Sequence, residues 1–80
     1  MSRESIFEQL NEVFRDVFDD DSIVVTDQTV SSDIDGWDSF AHINLIVNVE
    51  QSFSIKFSMG EVSSMKNVGA MVDIISSKLS

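Results

Sequence analysis

The sequence predicts an all-α fold: a four-helix bundle of three main helices and one short helix, with a long first loop. Three observations predict it. Apolar residues recur with the period of a helix in three segments, near 3–18, 38–52 and 68–79. The 80 residues contain no Pro and no low-complexity tract, so residues 1–80 are expected to form a single domain without a linker. Residues 19–37 carry no helical period, and a connection of that length is unusual in a compact domain unless it has a task.

In the first segment Ile6, Phe7, Leu10, Val13, Phe14, Val17 and Phe18 fall on one stripe at about 100° per residue. Ser2 or Ser5 can cap its start, and Ser5 with Glu8 fits a capping box. In the loop, Ile23, Val25, Val30 and Ile34 are available to pin the chain against the helices. The second helix is expected from about Asp38 to Ser52, with the Asp38 carboxylate accepting from the free N–H groups of the first turn. Leu45, Ile46, Val49 and Phe53 share one face, and Phe40, Ile43 and Val47 form a second, offset stripe. Only Asn44, Asn48 and Gln51 remain as a polar wedge, so this helix has either two apolar neighbours or one neighbour and a docking surface. A loop and a short helix near 59–65 follow. Asn67 then caps a last helix, about 68–79, with Val68, Met71, Val72, Ile75 and Leu79 on one side.

Charge and composition exclude several functions. The net charge is −9, which argues against a basic patch for nucleic acid or anionic membrane. The acid is not spread evenly: residues 19–38 hold seven Asp and no base, and the two segments after them are each neutral. Such a block suits docking to basic partners. There is no Cys, so the chain has neither a disulfide nor a thiol of its own. No apolar stretch is long enough to span a bilayer and no secretory signal is evident, so a cytoplasmic monomer is the expectation.

Candidate chemistry narrows to one residue. The string Asp33-Ile34-Asp35-Gly36-Trp37-Asp38 fails as an EF-hand loop because its glycine comes two places early, and a start at Asp19 has no glycine at the sixth position. A Ser39–His42 hydrolytic dyad has suitable helical spacing but lacks a nucleophile elbow, and so short a chain leaves no enclosed cleft with an oxyanion hole. No catalytic or metal-binding residue is therefore assigned. Ser39 stands apart for another reason. Asp38 already serves as the cap, which leaves the Ser39 hydroxyl free at the first helical position, where an attached phosphate would meet the positive end of the helix dipole.

With Asp38-Ser39-Phe40 in place of the motif D-S-L, the chain resembles the acyl carrier protein family, to which the peptidyl and D-alanyl carriers are related. The resemblance continues through AHINLIVNVEQSF, with Leu45, Val49 and Phe53 at core places and Glu50 in the family's acidic position, and it covers essentially the whole chain. It implies that Ser39 receives 4′-phosphopantetheine from coenzyme A through a phosphopantetheinyl transferase. The arm would then carry an acyl or aminoacyl group as a thioester. The chain would be a carrier and not an enzyme, and its partners would be acyl-loading and acyl-transfer or condensing enzymes. Asp38 resembles the family residue that helps the transferase dock. Asp35, Asp38, Phe40, Ile43, Asn44, Val47 and Glu50 make up the expected partner-binding surface.

Two departures stand out. Phe40 replaces Leu, as in D-alanyl carriers, and the second helix has Ala41, Asn44, Asn48 and Gln51 where fatty-acid carriers have carboxylates. They favour a specialised fatty-acyl, polyketide or related pathway. The alternatives are an aminoacyl carrier of the peptidyl or D-alanyl type, or an acidic interaction module in which Ser39 is only part of a helix cap.

Overall fold

The computed structural model describes residues 1–79. Its elements are α1 (Arg3–Phe18), α2 (Ser39–Phe53), α3 (Met59–Ser63) and α4 (Val68–Leu79), with one 3₁₀ turn at Ser31–Asp33. The described residues contain no strand. The expected order of three main helices and one short helix is thus the observed one, with ends displaced by one or two residues.

The caps explain where the helices begin. Ser2, not Ser5, caps α1: its Oγ accepts from the Ser5 backbone N–H at 3.1 Å, and Ser5 lies inside the helix. Asp38 caps α2 and Asn67 caps α4, its Oδ1 accepting from the Ala70 N–H at 2.8 Å. The short α3 is held by a reciprocal box. Ser58 Oγ accepts from the Glu61 N–H at 3.2 Å while the Glu61 carboxylate accepts from the Ser58 N–H at 2.8 Å. That N–H, and then Lys78, hold the Glu61 carboxyl below the usual range. Both α1 and α2 end on a left-handed residue that is not glycine, Asp19 and Ser54.

The core forms where three helical stripes meet. α1 contributes Ile6, Leu10, Val13 and Phe14, α2 contributes Leu45, Ile46, Val49 and Phe53, and α4 contributes Val68, Met71, Val72 and Ile75. Each large apolar side chain so buried contributes about 1.5–3 kcal/mol against the entropy of ordering the chain. α1 is the central element, packed on both α2 and α4. Gln9 ties α1 to the end of α2, donating to the Ser52 carbonyl at 2.7 Å and hydroxyl at 2.8 Å.

The long loop is an ordered strap. Ile23 and Val25 enter the core, and Ile34 packs against it half-buried. Polar groups of α1 hold the strap from beneath. Arg15 Nε donates to the Ile23 carbonyl at 2.8 Å, and Asn11 Oδ1 accepts from the Val25 N–H at 2.7 Å. The strap then crosses to α4, where the N–H groups of Val68 and Gly69 donate to the carbonyls of Thr29 (2.8 Å) and Asp27 (3.0 Å). These are free first-turn donors of α4, so the loop itself completes the cap of that helix. The 3₁₀ turn beyond it lacks any apolar period. It is held by local bonds, the Asp33 carboxylate accepting from the Val30 N–H at 2.9 Å.

Candidate functional site

The chain enters α2 through a turn whose residues have separable tasks. Gly36 adopts φ +86°, a backbone setting that L side chains resist, with open space around it. The turn sends Trp37 inward and brings Asp38 to an extended conformation, φ −103° and ψ −170°. From there Asp38 Oδ1 accepts from the Ala41 N–H at 2.9 Å. With that donor satisfied by Asp38, the exposed Ser39 hydroxyl has no hydrogen-bond partner among the described residues. Loss of the cap in Asp38→Ala is expected to lower stability by about 0.5–2 kcal/mol, read from urea unfolding; an unchanged midpoint would contradict the assignment.

Behind the turn, Trp37 joins an aromatic cluster that fastens the site to the core. Its ring meets Phe14 edge-on at 5.3 Å and Phe18 at 6.0 Å, and it stacks on His42 at 6.0 Å. Trp37 Nε1 donates to His42 Nδ1 at 3.1 Å. His42 is thereby an acceptor toward tryptophan, turned to structural use and not toward Ser39.

Burial pushes the His42 pKa below the ordinary histidine value of 6.5. The folded state therefore prefers the neutral ring. Below about pH 6.5 the unfolded chain binds the extra proton first, so stability supplied by neutral His42 is complete above that value and is lost as pH falls through the depressed folded value. A nuclear magnetic resonance titration is expected to place the His42 midpoint below 6.5, with the Trp37 indole proton moving in step. A midpoint at or above the ordinary value would refute the buried, hydrogen-bonded arrangement.

The structure divides the expected partner surface. Asp38, Ser39 and Ile43 line one open groove of about 530 Å³ with Ser31, Trp37, His42, Met65, Lys66, Asn67 and Met71. Phe40, Ile43 and Val47 are 86%, 64% and 43% exposed, so the second apolar stripe of α2 faces away from the core. Asn44 is also exposed, and its carbonyl and carboxamide oxygens both accept from Asn48 Nδ2, at 2.7 and 3.2 Å. Asp35 lies elsewhere, on a hollow shared with Asp19, Asp20 and Asp33. Glu50 has structural work: its carboxylate accepts from the Phe57 N–H at 2.8 Å, stapling the α2–α3 connection. Among the described residues no group of three or more His, Asp or Glu is arranged to hold a metal ion.

Residues 65–67 and Ser31 are part of the groove that the sequence pattern did not disclose. Only the Asn67 cap carried a local signal, and nothing in its spacing relates it to Ser39.

Such a bundle exposes an unpaired hydroxyl at a helix start, beside an uncharged apolar stripe. No family model matches the chain. The chain is 32% identical to the acyl carrier protein of Coprothermobacter proteolyticus over 84 aligned positions, covering 99% of this chain and 96% of that one. The solution structure of the holo acyl carrier protein from Geobacter metallireducens superposes with a TM-score of 0.86 at 51% identity, over 91% of this chain and 84% of that one. The chain belongs to the acyl carrier protein family. It is a carrier and not an enzyme. No helix among the described residues is long and apolar enough to cross a membrane.

Proposed function

We propose that Ser39 is the attachment point of 4′-phosphopantetheine and that the chain carries acyl groups in a specialised biosynthetic pathway. The observation that carries the attachment is the exposed Ser39 hydroxyl, unpartnered among the described residues at the first turn of a 15-residue helix. A phosphodiester there is favoured by the helix dipole, and the neighbouring groove gives the arm room to lie down. When bound, the group supplies a thiol on a long arm, to which cargo is joined as a thioester.

The chain's own residues do the rest. Asp38 holds the first turn so that the hydroxyl faces solvent, where a phosphopantetheinyl transferase reaches it. Phe40, Ile43 and Val47 present an apolar stripe for enzymes that load or remove the cargo. That stripe, flanked by Asn44 and Gln51 in place of carboxylates, supports partners that recognise shape and amides more than negative charge. Asp35 and the acidic hollow around it supply long-range attraction to basic surfaces.

Incubation with coenzyme A, magnesium and a broad-specificity transferase is expected to raise the intact mass by one phosphopantetheine unit. Ser39→Ala should abolish the gain completely while leaving the helical content unchanged. Absence of the gain in the parent protein, or its survival in Ser39→Ala, would defeat the reading.

A further inference from the structure

Asp35 and Gly36 are the two central residues of the turn that feeds α2. The Trp37 N–H donates to the Ile34 carbonyl at 3.4 Å, closing the turn. Gly36 at φ +86° matches the third residue of a type II turn, about +80°. Both residues are exposed, and nothing lies within 4 Å of the place a Gly36 Cβ would occupy. An aspartate followed by glycine is the pair in which a side-chain carboxyl most readily meets the next backbone nitrogen, because no Cβ hinders the approach.

The fold singles this pair out among the aspartates of the chain. Ring closure needs a free carboxyl and a free N–H on the next residue. The carboxylates of Asp20, Asp33 and Asp38 accept from the backbone N–H groups of Ser22, Val30 and Ala41, and those of Asp27 and Asp73 are held by Arg3. Asp19 and Asp21 are followed by engaged N–H groups, Asp20 N–H on the Arg15 carbonyl and Ser22 N–H on the Asp20 carboxylate. Asp16 lies inside α1, where the next N–H is a helix donor. Only Asp35 has, among the described residues, no partner for its carboxylate and none for the N–H that follows it.

We propose that Asp35-Gly36 is a site of self-modification, where the chain isomerises through a succinimide to isoaspartate. The Gly36 nitrogen attacks Cγ of the protonated Asp35 carboxyl. The N–H proton and the carboxyl hydroxyl leave together as water, closing a five-membered imide. Water then adds at the original Asp35 backbone carbonyl and breaks its bond to the Gly36 nitrogen. One water leaves and one returns, so mass and charge end unchanged and no oxidant or cofactor is consumed. The backbone now runs through the Asp35 Cβ and is one methylene longer. A turn so lengthened loses the bond from Trp37 to Ile34, and it moves Trp37 from Phe14 and Asp38 from the Ala41 N–H. The inference goes beyond the carrier reading and holds whether or not Ser39 bears a group.

The test ages the full chain in warm neutral buffer, digests it, and follows the peptide holding residues 35 and 36 by chromatography and mass spectrometry. A second peptide of unchanged mass is expected, with a minor species lighter by one water. Electron-transfer fragmentation should place isoaspartate at position 35, and an isoaspartate-specific methyltransferase should methylate it from S-adenosylmethionine. Asp35→Glu keeps the charge but needs a larger ring, and it should abolish both products. In the purified isomer the Trp37 indole and Ala41 amide resonances are expected to shift.

An unaltered Asp35 peptide after ageing overturns the inference. So does methylation that persists in Asp35→Glu, or isoaspartate that gathers at Asp21 instead. An isomer whose Trp37 and Ala41 resonances stay unmoved overturns the stated effect on the entry to α2.

Discussion

Phe14→Ala is expected to cost about 3–5 kcal/mol, because a fully buried aromatic ring is removed and the surrounding helices collapse only in part. Small domains hold about 0.05–0.15 kcal/mol per residue in total, so this single change consumes a large share of the stability of an 80-residue chain. Urea unfolding followed by Trp37 emission measures it directly, since Trp37 is the sole tryptophan and there is no tyrosine. The variant also tests the link between core and site. Phe14 meets the Trp37 ring edge-on, so its loss removes the wall against which the entry to α2 is seated. The His42 midpoint should then rise toward the ordinary value as water reaches the ring. Phe14→Leu keeps much of the volume and should lose much less. A cost below about 1 kcal/mol for Phe14→Ala would mean that the ring is not the packing centre described here.

Gly69→Ala is the second large effect, and its sign is the point of interest. Helix propensity alone predicts a gain, since alanine exceeds glycine by about 0.8–1.0 kcal/mol within a helix. The structure predicts a loss. A Cβ at position 69 would lie 2.7 Å from the Asp27 carbonyl oxygen and 3.1 Å from the Asp27 Cα. Both are backbone atoms, held where they are by the bonds from Gly69 and Val68 to the strap. Relief requires lifting residues 27–29 off the start of α4, which frees two helix donors and disturbs the ion pair of Arg3 with Asp27. The expected net cost is about 1–3 kcal/mol, in the range of overpacked sites. Faster amide exchange at Val68 and residue 69 should accompany it. A stabilised variant would show that the strap yields freely.

Much of the bundle is visible in local pattern. The stripes of α1, α2 and α4 reappear as the core almost residue for residue, and so does the exposed set of Phe40, Ile43 and Val47. Local rules also locate Asp38 and Asn67 as caps, because a cap is an interaction over three residues. Ser39 follows from them, as the residue after a cap that is already satisfied. The N-cap of α1 was open between Ser2 and Ser5 because both offer the same hydroxyl, and the Ser5 N–H is the donor that settles it.

Other features had no local signal. His42 follows Ser39 by a spacing that suits a dyad, yet its ring is taken by Trp37, five residues back across the turn. Glu50 reads as a surface acid and instead staples Phe57, because the backbone after α2 bends back toward it. The loop's order depends on Asn11 and Arg15, polar residues of α1 whose partners are backbone atoms and so leave no trace in side-chain pattern.

The sequence by itself determined the helices, their buried faces, the free hydroxyl at Ser39 and the acid ahead of it. Each of these depends on residues within a turn or two of one another, where periodicity and capping act. Only the tertiary structure decided that the first loop is a strap closing α4, that Gly69 must lack a side chain, and that residues 65–67 line one groove with Ser39. Those facts join residues dozens of positions apart, and their proximity is set by how the three apolar stripes pack, which no local rule specifies.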